Sequence, residues 1–170
     1  MRAFFLTMAF VVAVASTANA ESFAVVKDPV VIKECGTDCH MPFPPETLPQ
    51  ASWQKIIGNL SDHFGEDASI SAEAQAAVLK YHLDNSNDVI NSRAASRWRT
   101  TGAPARLQDA PRFKDKHANC SKDVFQAVAS HEKVKSWANC VACHPGIVKS
   151  GDAEDSIGFL PRNMKGCFGD

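Results

Sequence analysis

The 170-residue sequence predicts an all-α fold, on three observations. Apolar residues recur at helical spacing in two long stretches, and small polar residues stand where helix N-caps belong. Beyond the first twenty residues, no segment alternates apolar and polar residues as a half-buried strand does. Segments rich in proline and glycine separate the periodic stretches, so the helices are expected to be joined by long loops.

In chain order, residues 1–20, "MRAFFLTMAFVVAVASTANA", carry a basic start at Arg2, an apolar run from Phe4 to Val14 and small residues at Ala18 and Ala20. That pattern predicts a secretory signal peptide cleaved after Ala20. The run is short for a membrane span, and no later stretch approaches the required length. The expectation is an exported, periplasmic protein that does not span the membrane, with residues 21–170 as a single domain. Residues 21–34 read as an extended lead-in around Pro29, and "HMPFPPETLPQ" as an extended or turning arm. Ser52 is expected to cap an amphipathic helix, "SWQKIIGNLSDHF", with Trp53, Ile56, Ile57, Leu60 and Phe64 on one face and His63 beside it. Ser71 is expected to cap the next helix, "AEAQAAVLKYHLDNS", in which Ala74, Val78, Tyr81 and His82 share a side. A short helix is expected from about Asn87 to Arg97, mainly loop over "TTGAPARLQDAPRFKDKH", and a helix from Ser121. "SWANCVACH" reads as helical after a Ser136 cap, and the tail from Pro145 as loop.

Removing the leader takes away Arg2 and no acid, leaving 17 basic against 19 acidic residues in 150. So balanced a charge excludes a strongly basic nucleic-acid binder. The six cysteines fall into two local pairs, each followed by histidine, and two single residues, Cys120 and Cys167. "CVACH" places Cys140 and Cys143 two residues apart with His144 next. This is the attachment pattern of a c-type haem: two thioether bonds to the porphyrin vinyl groups and an imidazole on the iron. A thioredoxin-like motif would need a βαβ setting, and zinc would need further paired ligands. "CGTDCH" has one residue too many: Gly36, Thr37 and Asp38 separate Cys35 from Cys39 before His40. A bulged loop with Gly36 in it can bring both sulfurs to the same vinyl groups. A Cys35–Cys39 disulfide is the competing reading.

There are six histidines, and two haems ligated by histidine on both sides need four. Four cysteines serve the thioethers, which leaves Cys120 and Cys167 as an expected disulfide or as two unpaired thiols.

The ordered run "CHMPFPPETLPQASWQKIIGNLSDHFGEDAS", then "YHLDNSN", "PRFKDKH", "VKSWANCVACH" and "LPRN", resembles the dihaem cytochrome c family, small bacterial electron carriers with two bis-histidine haems. The resemblance covers about Glu34 to Lys165. It departs at the first site, where the family pattern has the ordinary two-residue spacing. It implies a small helical c-type cytochrome domain with long loops wrapped around two covalently bound haems. It further implies that His40 and His144 are proximal ligands, and that His63 in "HFG" and His117 in "PRFKDKH" are distal ones. His82, His131 and Met164 are the alternatives for a distal place. "KDKH" and "RAASRWR" are basic segments that could line haem propionates, or could be solvated helix faces.

The expected function is transfer of single electrons between redox proteins, without enzymatic activity. The resemblance implies a membrane b-type cytochrome as donor and a small monohaem cytochrome c as acceptor. The rival readings are a haem enzyme or ligand-binding protein with one open distal site, handling peroxide, oxygen or nitrogen oxides, and a monohaem protein with Cys35–Cys39 closed as a disulfide.

Overall fold

The computed structural model describes residues 21–36, 40–118, 121–154 and 156–165. The expected signal peptide, Cys39, Cys120 and Cys167 lie outside these residues. The described residues hold helices α1 (Pro29–Cys35), α2 (Gln50–Gly58), α3 (Ala72–Asp84), α4 (Arg93–Trp98), α5 (Pro111–Lys116), α6 (Lys122–Ala129) and α7 (Arg162–Lys165), with four short 3-10 turns and no named strand. The fold is all-α, as predicted. None of its described helices is long and apolar enough to cross a membrane.

Helix α1 corrects the expectation of an extended lead-in. The Asp28 carboxylate accepts hydrogen bonds from the Val30 and Val31 amides at 2.9 and 3.0 Å, and Pro29 occupies the first helical position. Proline there loses no hydrogen bond, because the first-turn N–H groups lack intrahelical partners anyway. Helix α2 starts earlier than expected. Pro49 precedes it, and Ser52 lies inside it, fully buried, rather than capping it. It also ends early, at Gly58, so Leu60 and Phe64 do not continue its apolar face. Helix α3 begins as expected, with Ser71 Oγ accepting from the Ala74 amide at 3.1 Å. The next helix is capped by Ser92, five residues after the expected start at Asn87. Helix α5 occupies part of the expected loop and again opens with proline at its first position. Ser121 caps α6 as expected. "SWANCVACH" is not an α-helix. Ser136 Oγ accepts from the Ala138 amide two residues on, which is a turn rather than a cap, and only Cys140–Ala142 winds into a 3-10 turn.

The main core gathers Phe23, Val31, Met41, Leu48, Trp53, Ile57, Val78, Ala94, Trp98, Leu107, Ala110, Phe113 and Ile147. A smaller cluster of Val128, Val134 and Leu160 joins α6 to the tail. Glu46, 2% exposed, ties three segments together: its carboxylate accepts from the Ala24 amide at 2.6 Å and from the Ser92 hydroxyl. The beginning of the described chain is stitched to a late loop, with Phe23 N–H donating to Gly151 O at 2.8 Å and Ala153 N–H to Glu21 O at 2.9 Å. Gly151 has φ +76°, and a Cβ there would lie 1.8 Å from the Phe23 carbonyl oxygen. Alanine at 151 is therefore expected to cost more than about 1 kcal/mol, through both left-handed backbone and collision. A fall in the urea midpoint at unchanged slope reads this out, and an unchanged midpoint contradicts it.

His82 is 3% exposed, with its ring 4.4 Å from that of Trp53. Its Nδ1 lies 2.8 Å from the Val78 carbonyl, and the Phe43 backbone is its second hydrogen-bonding partner. Burial pushes its pKa below the ordinary value, against the opposing pull of these backbone groups and of Asp28. The unfolded chain takes up a proton at about pH 6.5 where the folded one does not. Stability from this group is therefore complete above that pH and is lost as the pH falls towards the lowered folded value. Urea midpoints at about pH 7.5 and 5.5 should differ more in the native protein than in His82→Gln. Equal differences would remove His82 as the cause.

Candidate functional site

The chain after α1 runs straight into the first candidate site. Gly36 has an ordinary φ of −113°, so backbone freedom is not what it supplies. A Cβ there would lie 2.7 Å from the Ile32 carbonyl oxygen and 3.0 Å from Pro42 Cδ, and glycine lets the two strands of chain pass. His40 then donates from Nδ1 to the Met41 carbonyl at 2.7 Å and stacks on Phe43, with centroids 4.5 Å apart and planes at 15°. With the proton held at Nδ1, Nε2 is left as the nitrogen with a lone pair.

His63 faces His40 from a tight loop rather than from a helix face, which corrects the expectation. The loop closes through His63 N–H to Glu66 O at 2.8 Å and Ala68 N–H to Leu60 O at 2.9 Å. Its tip is Phe64, a non-glycine residue at φ +59°, under the Arg106 guanidinium at 4.4 Å. Such a backbone costs about 1–3 kcal/mol and persists where the surroundings impose it, commonly at functional sites. The His40 and His63 ring centroids are 6.2 Å apart. Burial and then repulsion by His40 lower the His63 pKa below the ordinary imidazole value. His63 Nδ1 is buried without a hydrogen-bond partner, and a bond made outside the polypeptide is one explanation of such an atom.

The second site is built on α5 and the "CVACH" turn. His117 ends α5. Its Nδ1 donates to the Phe113 carbonyl one turn back at 2.7 Å, and its ring stacks on the Phe113 ring at 4.1 Å and 18°. This is the i, i+4 neighbourhood of a helix closing on itself. His144 follows the Cys140–Ala142 turn, its amide donating to Cys140 O at 2.7 Å. The His117 and His144 centroids are 6.3 Å apart. Both rings, with Cys140 and Cys143, line a cavity of about 510 Å³, within the usual range for a ligand pocket.

The separations test the fit of a haem. An imidazole nitrogen binds a metal at about 2.0–2.1 Å and the ring centre lies about 1.1 Å beyond, so two rings on opposite sides of one iron have centres about 6.2 Å apart. Both pairs meet that distance. Burial pushes the Cys140 thiol up to about 12, and burial with Glu34 pushes Cys35 up to about 11. Thiols so hard to ionise do not suit a redox-active pair, which needs a lowered pKa. Among the described residues no three His, Cys, Asp or Glu side chains converge to hold a bare metal ion. The residues fit two c-type haems.

The alternatives for a distal place lie elsewhere. His82 is engaged by backbone, as above. His131 lies tilted against Phe159, with centroids 5.3 Å apart and planes at 52°, and Met164 packs with Val128, Val134 and Leu160; neither lines the large cavity. The basic segments "RAASRWR" and "KDKH" each bring a residue to the cavity, while Arg112, Glu21 and Glu154 are lining residues that the sequence did not single out. Arg97 and Arg112 reach the cavity, as does Lys116 of "KDKH", against Glu21 and Glu154. The Glu21 carboxylate is held by Arg112 at 3.2 Å and Arg97 at 3.8 Å. Met41 and Phe43, beside His40, line the same cavity, so the two sites adjoin. The signal for Arg97 was present in "RAASRWR", but which face it served depended on the tertiary fold.

Comparison with known proteins agrees with this geometry. The family model described as dihaem cytochrome c matches residues 31–151. Among solved structures, a diheme cytochrome c from Rhodobacter sphaeroides is 35% identical, with a TM-score of 0.60, covering 74% of this chain and 96% of its own. A diheme cytochrome type c from Shewanella baltica is 27% identical, with a TM-score of 0.55, covering 71% of this chain and 83% of its own. No curated protein gives a significant match. With two cysteine–histidine motifs, two histidine pairs at the spacing of one iron each, and a family match over most of its length, this chain is a haem-binding electron carrier that holds two c-type haems and belongs to the dihaem cytochrome c family.

Proposed function

We propose that the protein is an exported, periplasmic carrier of single electrons, with His40 and His63 on one haem iron and His117 and His144 on the other. The carrying observation is the pair of centroid separations, 6.2 and 6.3 Å, each the distance of two imidazoles on a common iron. The bound haems supply a one-electron ferrous/ferric couple. The chain's part is to close both faces of each iron, so that no coordination position is left for a substrate. Rings held by hydrogen bonds and aromatic stacks need move little between redox states. Cys35 with Cys39, and Cys140 with Cys143, serve as the thioether anchors, and Cys120 with Cys167 as a disulfide. Arg97, Arg112 and Lys116 offer charge to propionates at the second site. The adjoining sites, with Met41 and Phe43 between them, favour passage of an electron from one haem to the other. A membrane b-type cytochrome and a small monohaem cytochrome c are the partners that the family resemblance supports, meeting the protein in transient contacts.

The test is carbon monoxide added to the reduced, purified holoprotein, beside an optical redox titration. The proposal expects no carbonyl spectrum and two one-electron steps, both between low-spin states. A carbon monoxide complex at one haem would make that site open and the protein a ligand-binding or catalytic one. A single step with one haem per chain would make it monohaem.

A further inference from the structure

The two histidine pairs match in spacing but differ in orientation. The planes of His40 and His63 lie 35° apart, whereas those of His117 and His144 cross at 86°. In the second pair, His117 is held from several sides. His117 lies between two aromatic groups: the Phe113 ring stacked on it, and Trp137 edge-on at 5.7 Å and 79°. Trp137 is itself fixed against Phe125, stacked at 4.0 Å and 14°. The bond from His117 Nδ1 to the Phe113 carbonyl sets where the ring points, and the flanking rings restrict its rotation. In the first pair, the Phe43 stack and the Met41 carbonyl hold His40, and the Phe64 ring lies edge-on to His63 at 4.8 Å.

We propose that Phe113 and Trp137 are positioning residues that hold the plane of His117 across that of His144, so that the second haem is electronically distinct from the first and the easier to reduce. The proposal rests on the bis-histidine reading above. An imidazole presents a filled π orbital normal to its ring, which raises whichever metal orbital of π symmetry it overlaps. Aligned rings act on one such orbital and separate the two in energy. Crossed rings act on both equally and leave them nearly degenerate. The separation follows the cosine of the angle between the planes, so most of it survives at 35° and almost none at 86°. A low-spin ferric ion has one hole in these orbitals and is stabilised when they are separated. His40 and His63 therefore favour the ferric state more than His117 and His144 do, and the second haem takes up an electron first.

Electron paramagnetic resonance of the frozen ferric holoprotein tests this. The expected spectrum superposes two low-spin signals: a rhombic one with three resolved features from the first haem, and a strongly anisotropic one with a single large-g feature from the second. In a reductive titration the large-g feature is lost first. Phe113→Leu keeps the backbone acceptor and removes the stacked ring. It is expected to shift the large-g feature towards the rhombic form and to bring the two reduction steps closer. Trp137→Phe, which leaves α5 intact, is expected to do the same to a smaller extent. Two rhombic signals in the native protein, earlier loss of the rhombic signal, or a large-g feature unmoved in both variants would overturn the proposal. Failure of the bis-histidine reading looks different: a high-spin signal, or the near-infrared band of thioether ligation.

Discussion

Replacing His117 by alanine is expected to convert one of the two low-spin haems into a high-spin haem open to external ligands. The haem is expected to stay attached, because Cys140 and Cys143 line the same cavity and, in the proposed assignment, anchor the macrocycle covalently. The intact mass should therefore change only by the substitution, while half of the low-spin absorbance is lost and carbon monoxide binds the reduced protein at one haem. Exogenous imidazole should restore the low-spin spectrum, since the cavity that held the native ring remains. The informative control is His82→Ala. That ring is held by the Val78 carbonyl and the Phe43 backbone, so its loss should reduce stability and leave the spin state unchanged. A spin-state change in the His82 variant with none in the His117 variant would reassign the ligand.

Trp53→Ala is expected to be the most destabilising core substitution, at about 3–5 kcal/mol for a buried aromatic truncated to alanine. Trp53 is 3% exposed, and its indole N–H donates to the Pro45 carbonyl at 2.8 Å. It thereby clamps the proline arm that follows His40 onto α2, and its ring packs on His82 of α3. Truncation removes a large apolar side chain and leaves the Pro45 carbonyl without that donor. The check is the denaturant midpoint of the holoprotein, with Trp53→Phe as the partner variant. Phenylalanine keeps most of the packing and loses the hydrogen bond, so its cost should be about 1–3 kcal/mol. Equal losses in both variants would assign the whole effect to the hydrogen bond.

The parts of the fold legible in the sequence, and the parts that were not, divide on proline. Helices α3 and α6 announce themselves with Ser71 and Ser121 caps, and both appear where expected. Extended chain and loop are expected over α1 and α5, because Pro29 and Pro111 read as breakers in the sequence. Each stands at the first helical position, where its fixed φ favours the helix. The Asp28 carboxylate before Pro29 was the cue available in the sequence. "SWANCVACH" failed the other way. A serine before an apolar run suggests a cap, but here the chain turns to present Cys140, Cys143 and His144 to one cavity instead of packing a helical face.

The candidate site was legible to the extent that its chemistry is local. Two cysteines and a following histidine are a covalent requirement that can be read in five or six residues. The expected distal histidines are not, because they meet their partners only through space: 22 residues lie between His40 and His63, and 26 between His117 and His144. Spacing alone could not pair them, and family resemblance suggested which to choose. One local cue was available, Phe113 four residues before His117, the spacing at which a helix stacks one ring on the other. Arg97, Arg112 and Glu21 became neighbours only when the beginning of the described chain paired with the loop at Gly151.

The most direct test of the whole account is mass spectrometry of the exported protein, intact and as the peptide spanning Cys35 to His40. The account predicts two haems per chain, one of them on that peptide through both sulfurs despite the three-residue spacing. A single haem, with the Cys35–Cys39 peptide two hydrogens lighter and carrying none, would show that the first motif is a disulfide and contradict the dihaem electron carrier.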